Sequence, residues 1–433
     1  MGPGFRRDNG NLGSLPRFLS ARLPFFYGWV VLGCLCCVGF ARQGPAVATL
    51  SIFIEPLTRE FGWSRAALSG AVSLGGVLAA LSSPLIGPWL DRSGARAILC
   101  IVVFVNAALL IGLSFASSLA VFYALFCLAR MNWAGPFDLG IYGAVSNWFV
   151  HRRAFATSVA TLAQMLGLVA MPLIAQLAIL HHGWRSAWLT LGVLTLAVGF
   201  VPSYLLLVRR PEDLGLLPDH GTAHASAALA TPDPEFTRRQ ALATPAFWLL
   251  MAYTMLVYPV QAGVSLHQAP LLIERGIDPT IAATVVSTFS LMSAAASIVC
   301  GVLPRRLPTH YPLAAIGVFL AASTLVMLSV RTPAEAFLGA ALFGFGVGGV
   351  LTLLPLAWAD FFGRTNFGAI RGIALSAQVS AQAVGPILSG TLRDLTGSYV
   401  RSLECFTVLS VLSVVVALVL RRPVDSAAPP LRS

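Results

Sequence analysis

Apolar runs of about 20 residues recur along the chain, separated by short polar links that carry arginine. A run of that length crosses the hydrocarbon core of a bilayer as a helix. Twelve spans can be drawn, at 26–54, 65–86, 97–116, 119–149, 154–180, 186–208, 245–272, 279–303, 312–330, 335–361, 372–391 and 400–420. The alternating pattern of a membrane barrel is absent from the sequence. The pattern predicts an all-α membrane protein of twelve transmembrane helices, arranged as two six-helix, pseudo-symmetric bundles. The one long link, 209–243, is rich in Pro, Ala and charge, and it reads as a flexible tether. The predicted division is a cytoplasmic leader at 1–24, a first bundle at 25–208, a cytoplasmic linker at 209–243, a second bundle at 244–421 and a cytoplasmic tail at 422–433. Residues 1–24 read as a retained leader, because the apolar run that follows is too long for a signal-peptide core.

Composition agrees with this reading. The 433 residues are 57% hydrophobic and 10% charged, against about 25% charged in soluble domains. So few charges cannot cover a water-facing surface, which argues against soluble enzymes, nucleic-acid binders and disordered scaffolds. The net charge of +11 does not mark a nucleic-acid surface, because its arginines lie between the spans. Counted over alternate links, 19 arginines fall on the side of both termini and the linker and 7 on the other. The excess predicts that both termini and the linker are cytoplasmic. The 7 cysteines all lie in apolar runs without metal-ligand spacing, so they read as small packing residues and no metal site is predicted.

The two halves are related by a constant offset. A shift of 214 residues pairs Pro45 with Pro259, Gly62 with Gly276 and Gly87 with Gly301. It also pairs Arg92 with Arg306, Gly135 with Gly349, Gln164 with Gln378, Pro172 with Pro386 and Gly183 with Gly397. A parallel repeat of six and six spans places a substrate site between the halves, near the bilayer midplane.

The link between spans two and three reads Gly87-Pro-Trp-Leu-Asp91-Arg92-Ser-Gly94-Ala-Arg96. It resembles the G-x-x-x-D-R-x-G-x-R signature of the major facilitator superfamily. Glycines allow close helix approach and a sharp turn, and Asp91 can pair with an arginine or with a helix N-terminus. Gly87, Asp91, Arg92, Gly94 and Arg96 are therefore the predicted conformational latch. A second stretch, Trp148-Phe149-Val-His151-Arg152-Arg153-Ala-Phe155-Ala156, is similar to a signature of monocarboxylate porters. Tyr27-Gly28-Trp29, Phe53-Ile-Glu55-Pro56-Leu57 and His267-Gln-Ala-Pro270-Leu271 also resemble the bacterial monocarboxylate porter and oxalate–formate exchanger branch. The likeness departs at known functional positions. The Asp and Arg of the family's eighth span correspond to Ser293 and Ser297, and its first-span Lys falls near Ala46. The basic residues that the oxalate–formate exchangers carry in spans eight and eleven are not expected here.

Arg42 and Arg130 fall near the middles of spans one and four. An intramembrane Arg costs a few kcal/mol or more unless it finds a partner or a wet cavity. The resemblance implies that spans one, four, seven and ten line the cavity, and guanidinium binds carboxylate bidentately. Arg42 and Arg130 are therefore substrate-binding candidates, with a structural ion pair as the other reading. Asp138 and His267 are the proton-coupling candidates. Trp133, Tyr253, Tyr258, Gln261 and Trp358 are the uncharged substrate-binding candidates. Asp360 reads as a structural latch. Gln164 and Gln378 read as bonding across helices.

The predicted function is secondary active transport of a small organic anion, a monocarboxylate by preference, proton-coupled or by exchange. The protein is read as a monomer in a bacterial inner membrane, not an enzyme, without cofactor or nucleic acid. The alternatives are a proton-driven exporter of drugs or metabolites and a transporter-like sensor. Met171-Pro172-Leu-Ile-Ala-Gln176 lacks the glycines of the exporters' fifth-span G-P-x-x-G-G run, and the sensor reading has only the linker to rest on.

Overall fold

The computed structural model describes residues 14–220, 234–302 and 307–423. Arg6 and Arg7 of the leader, His224 of the linker, Arg305, Arg306 and Arg432 lie outside the described residues.

A short helix, α1 (Ser14–Arg22), precedes α2 (Gly28–Ala41) and α3 (Val47–Phe61), which together form span one. Spans two and three share α4 (Arg65–Leu113), folded at Gly94. Span four is α5 (Leu119–Ala134) followed by α6 (Pro136–Trp148). Spans five and six share α7 (Arg153–Leu194), folded at Gly183 and continued by a π-helical turn and α8 (Val201–Leu206). After the linker helix α9 (Arg238–Ala243) come α10 (Pro245–Glu274), α11 (Pro279–Val302) and α12 (His310–Ser329). The last three are α13 (Pro333–Phe362), α14 (Phe367–Thr396) and α15 (Val400–Val419). Helices α10 to α15 are spans seven to twelve. By length and composition, 7 helical stretches among the described residues can cross a membrane. Two of these, α4 and α7, fold back at a glycine into paired spans.

The repeat is visible in the backbone. Gly62 and its partner Gly276 have φ of 67° and 81°, and Gly183 and Gly397 have 80° and 73°. Glycine enters this left-handed region at no steric cost, so each pair marks an equivalent sharp turn in the two halves.

The sequence predicts spans one and four as continuous, and the structure breaks both. Span one stops at Ala41 and resumes at Val47. Span four is interrupted at Gly135, with φ −113° and ψ −85°. Each break is a Gly-Pro dipeptide, Gly44-Pro45 and Gly135-Pro136. Proline lacks the N–H that would continue the ladder and disfavours helical geometry in the residue before it. The repeat partners do not break: Pro259 lies inside α10 and Gly349 inside α13, neither in a Gly-Pro pair.

The halves meet chiefly through α4 against α14 and α7 against α11. Gly87 and Gly368 touch backbone to backbone, so a Cβ on either would collide with the other's carbonyl oxygen. Polar contacts between the halves gather on the face that carries the linker. The Asp91 carboxylate accepts the Gly368 and Ala369 N–H groups at 2.8 and 2.7 Å, capping the start of α14. Arg153 pairs with Asp360 at 2.8 Å. Arg364 pairs with Glu212 of the linker at 2.9 Å and donates to the Asn147 carbonyl at 3.1 Å. The linker was read as a tether, yet its described parts are docked: Asp219 accepts the backbone N–H groups of Val150, His151 and Arg152. The structure is therefore closed on this face.

Candidate functional site

The Gly-Pro break in span one leaves Arg42 just past the end of α2, where its side chain enters the interior at 5% exposure. The break in span four starts a new helix at Pro136 and puts Asp138 in its first turn. A carboxylate is favoured there by the helix dipole. The two local accidents of sequence bring one cation and one anion to the same depth. Asp138 lies 3.9 Å from the Arg42 guanidinium and 2.9 Å from that of Arg371.

Arg371 corrects the sequence reading, which put it in the link before span eleven. It lies inside α14, 1% exposed, and supplies a basic residue to span eleven where none was expected. The Asp138–Arg371 pair joins the two halves. A signal was available: Arg371 and Gln378 are seven residues apart, two helical turns on one face.

Around this pair the contacts are specific. Arg42 donates to Gln164 Oε1 at 2.7 Å, and Gln164 Nε2 donates to the Tyr142 hydroxyl at 3.1 Å. The Trp133 indole N–H donates to Gln43 Oε1 at 2.8 Å. Two guanidinium carbons lie near that indole, Arg130 at 3.8 Å from the ring centroid and Arg42 at 5.0 Å. Both are within cation–π range. Arg130 fits because Gly75 of span two has no side chain to meet its Cβ. Its Nε and Nη1 have no hydrogen-bond partner among the described residues. Nor do Nε of Arg42 or Nε and Nη1 of Arg371. Three guanidiniums and one carboxylate thus share the region where the bundles meet. Tyr258 is buried within electrostatic reach of Asp138 and Arg371.

Other predicted residues lie elsewhere. Tyr253 is buried in the second bundle, its hydroxyl donating to the Leu313 carbonyl at 2.9 Å. Trp358 packs among Phe247 and Phe362 of the same bundle. Gln261 meets Gln382 at 3.4 Å, joining spans seven and eleven. His267 contacts the Tyr399 hydroxyl and the Pro386 carbonyl, both at 3.3 Å. Apolar and aromatic residues look the same in sequence whether they face the other bundle or their own. Ser293 and Ser297 face span ten: Ser297 bonds the Gly348 carbonyl at 3.4 Å, and Gly348 abuts the Ser293 backbone. Among the latch residues, Gly87 and Asp91 make the inter-half contacts described above. Gly94 forms the turn, Arg96 donates to the Tyr204 carbonyl at 3.0 Å within the first bundle, and Arg92 is exposed.

Two six-span bundles related by a repeat, closed on one face over a charged interior, define a multi-pass membrane transporter. The chain belongs to the Major Facilitator Superfamily, whose family model matches residues 31–386 and 262–433. It is 26% identical over 389 residues to human (Homo sapiens) monocarboxylate transporter 11, covering 87% of this chain and 79% of that one. It is 27% identical over 416 residues to the gallate transporter of Pseudomonas putida, covering 85% and 89%. Among solved structures, the transporter FucP in its outward conformation matches with a TM-score of 0.69 at 11% identity, covering 92% of this chain and 100% of that chain.

Proposed function

We propose that the protein carries a small organic anion, a monocarboxylate by preference, across the membrane by alternating access between its two bundles. The observation that carries this reading is the imbalance of three guanidiniums against one carboxylate at Asp138. An anion entering this region supplies the missing charge, and its oxygens suit the unpartnered guanidinium nitrogens. Arg42 and Arg130 bind it, and the Trp133 face beside them takes its apolar part. Relatives named for monocarboxylates and gallate support the same substrate class.

Asp138 is the carboxylate through which a proton would couple to transport. Protonation would remove the charge that holds Arg371 and so loosen the halves. Exchange of one anion for another is the second mode open to the same site. The arginine-rich face is read as cytoplasmic, in a bacterial inner membrane, so on this reading the closed face is the cytoplasmic one. The carrier works as a monomer.

The test is ligand-induced thermal stabilisation of the purified protein. Lactate, benzoate, gallate and succinate are compared with glucose and a quaternary ammonium drug. Binding to the native state raises the midpoint. Selective stabilisation by one class of carboxylate is expected. Stabilisation by the neutral or cationic compounds alone would reject the anion reading and favour drug or metabolite export.

A further inference from the structure

The internal repeat pairs Gln164 of span five with Gln378 of span eleven. The structure places the two on either side of Asp138, each on a different arginine. Gln164 Oε1 accepts from Arg42 at 2.7 Å, and Gln378 Oε1 accepts from Arg371 at 3.5 Å. Both amides are buried, at 6% and 8% exposure. Gln164 is itself fixed: its Nε2 donates to the Tyr142 hydroxyl at 3.1 Å and to the Ala160 carbonyl at 3.4 Å. The Tyr142 hydroxyl is in turn 3.0 Å from that of Thr161. Gly39 makes room, since a Cβ there would strike the Gln164 side chain.

The distances differ in a telling way. Arg42 is close to its glutamine and 3.9 Å from Asp138. Arg371 is 2.9 Å from Asp138 and at the edge of bonding distance from its glutamine. A neutral amide holds a guanidinium without cancelling its charge. With an apolar side chain at 164, Arg42 would be free to close on Asp138. With a carboxylate there, its charge would be spent before any substrate arrived.

We propose that Gln164 and Gln378 are a repeat-related pair of positioning residues with divided tasks. Gln164 holds Arg42 off Asp138 and open to a substrate anion. Gln378 steadies Arg371 on Asp138 and so supports the link between the halves. The Gln164 role rests on the organic-anion reading, whereas the Gln378 role does not.

The experiment uses the full chain in lipid nanodiscs, as wild type, Q164L, Q164E and Q378L. Q164N and Q378N, whose shortened amides fall out of reach, stand in for any variant that does not fold. The sodium salts of lactate, benzoate, gallate and succinate are titrated into each, and hydrogen exchange is followed at residues 364–375 without added anion. Q164L is expected to weaken anion binding about tenfold, the size of one buried hydrogen bond to a charged group. Q164E, nearly the same shape, is expected to weaken it further, which a packing role would not predict. Q378L is expected to speed exchange at 364–375 about fivefold, with Q164L leaving it unchanged. Binding to Q164L within twofold of wild type, or to Q164E as to wild type, overturns the Gln164 role. Unchanged exchange in Q378L overturns the Gln378 role. If wild type binds none of the four, the organic-anion reading and the Gln164 role fall together, and the exchange result still decides Gln378.

Discussion

At the scale of single residues, Asp138 is the pivot. It faces Arg42 from its own half and Arg371 from the other, and it is buried. Removing one partner of a buried pair costs more than removing both, because it strands an unpaired charge. Asp138→Asn should therefore lower stability by about 3–5 kcal/mol, read as a fall in thermal midpoint. The double variant Asp138→Asn/Arg371→Gln should recover part of the loss, and simple additivity of the two would contradict a direct pair. Arg42→Gln and Arg130→Gln should abolish uptake while leaving membrane insertion intact, which expression and transport assays separate. Normal uptake by both would remove them from the substrate site. The sequence announced Arg42, Arg130 and Asp138 because charges are costly in the middle of a span. It hid Arg371, which stands at the polar edge of an apolar run and looks like an ordinary link residue. Tyr253 and Trp358 carry no such signal: an aromatic residue reads the same in sequence wherever it points, and here both side chains contact their own bundle.

At the scale of helices, the Gly-Pro breaks decide where the charges meet. The dipeptides were plain in the sequence, yet each sat inside an apolar run long enough to read as one helix. Hydropathy reports length in the membrane and not continuity of the backbone. The contact of Gly87 and Asp91 with the other half was more legible. Gly87 and Asp91 belong to a short motif whose chemistry requires an absent side chain and a carboxylate, and α14 offers the matching Gly368 and free N–H groups. Gly368→Val should hold α4 and α14 apart, so the backbone amides at 368 and 369 should exchange with solvent faster than in wild type. Protection equal to wild type would show that the close approach is dispensable. The other end of span one carries a separate prediction. Glu60, at the end of α3, accepts the Trp184 indole N–H and pairs with Arg185 at 2.7 Å. These contacts hold its carboxyl below the usual range. A depressed value means that the stabilisation is present above the unfolded value and is lost as pH falls through the folded one. The stability difference between wild type and Glu60→Gln should thus be small but present at neutral pH and fade as the solution is acidified past the ordinary glutamate range, measured by thermal midpoints across pH.

At the scale of the molecule, one face is held shut by contacts that no single helix makes. Asp91 caps α14 across the interface, Arg153 pairs with Asp360, and Arg364 ties Glu212 of the linker to the second bundle. If the bundles rock apart on this face, each of these bonds has to break, so each would favour the closed state by its own free energy and leave the opened state untouched. The exposed pair at Arg364 contributes about 0.2–1 kcal/mol. The Arg153 pair has one member fully buried, and the Asp91 bonds carry a charge, so each contributes on the order of 1–2 kcal/mol. Together they bias the equilibrium by roughly 2–5 kcal/mol, enough to hold nearly the whole population closed if the two states are otherwise balanced, and their loss would return it to an even mixture. The combined variant Asp91→Asn/Asp360→Asn/Glu212→Gln leaves the site around Asp138 intact. Its intrinsic affinity for an anion should be unchanged, while apparent affinity from the opposite face should fall in proportion to the population that still presents the site there. Binding measured from each face of oriented vesicles should therefore weaken on one side and not on the other. An equal loss on both sides would mean that these contacts hold the fold together and do not choose between its states.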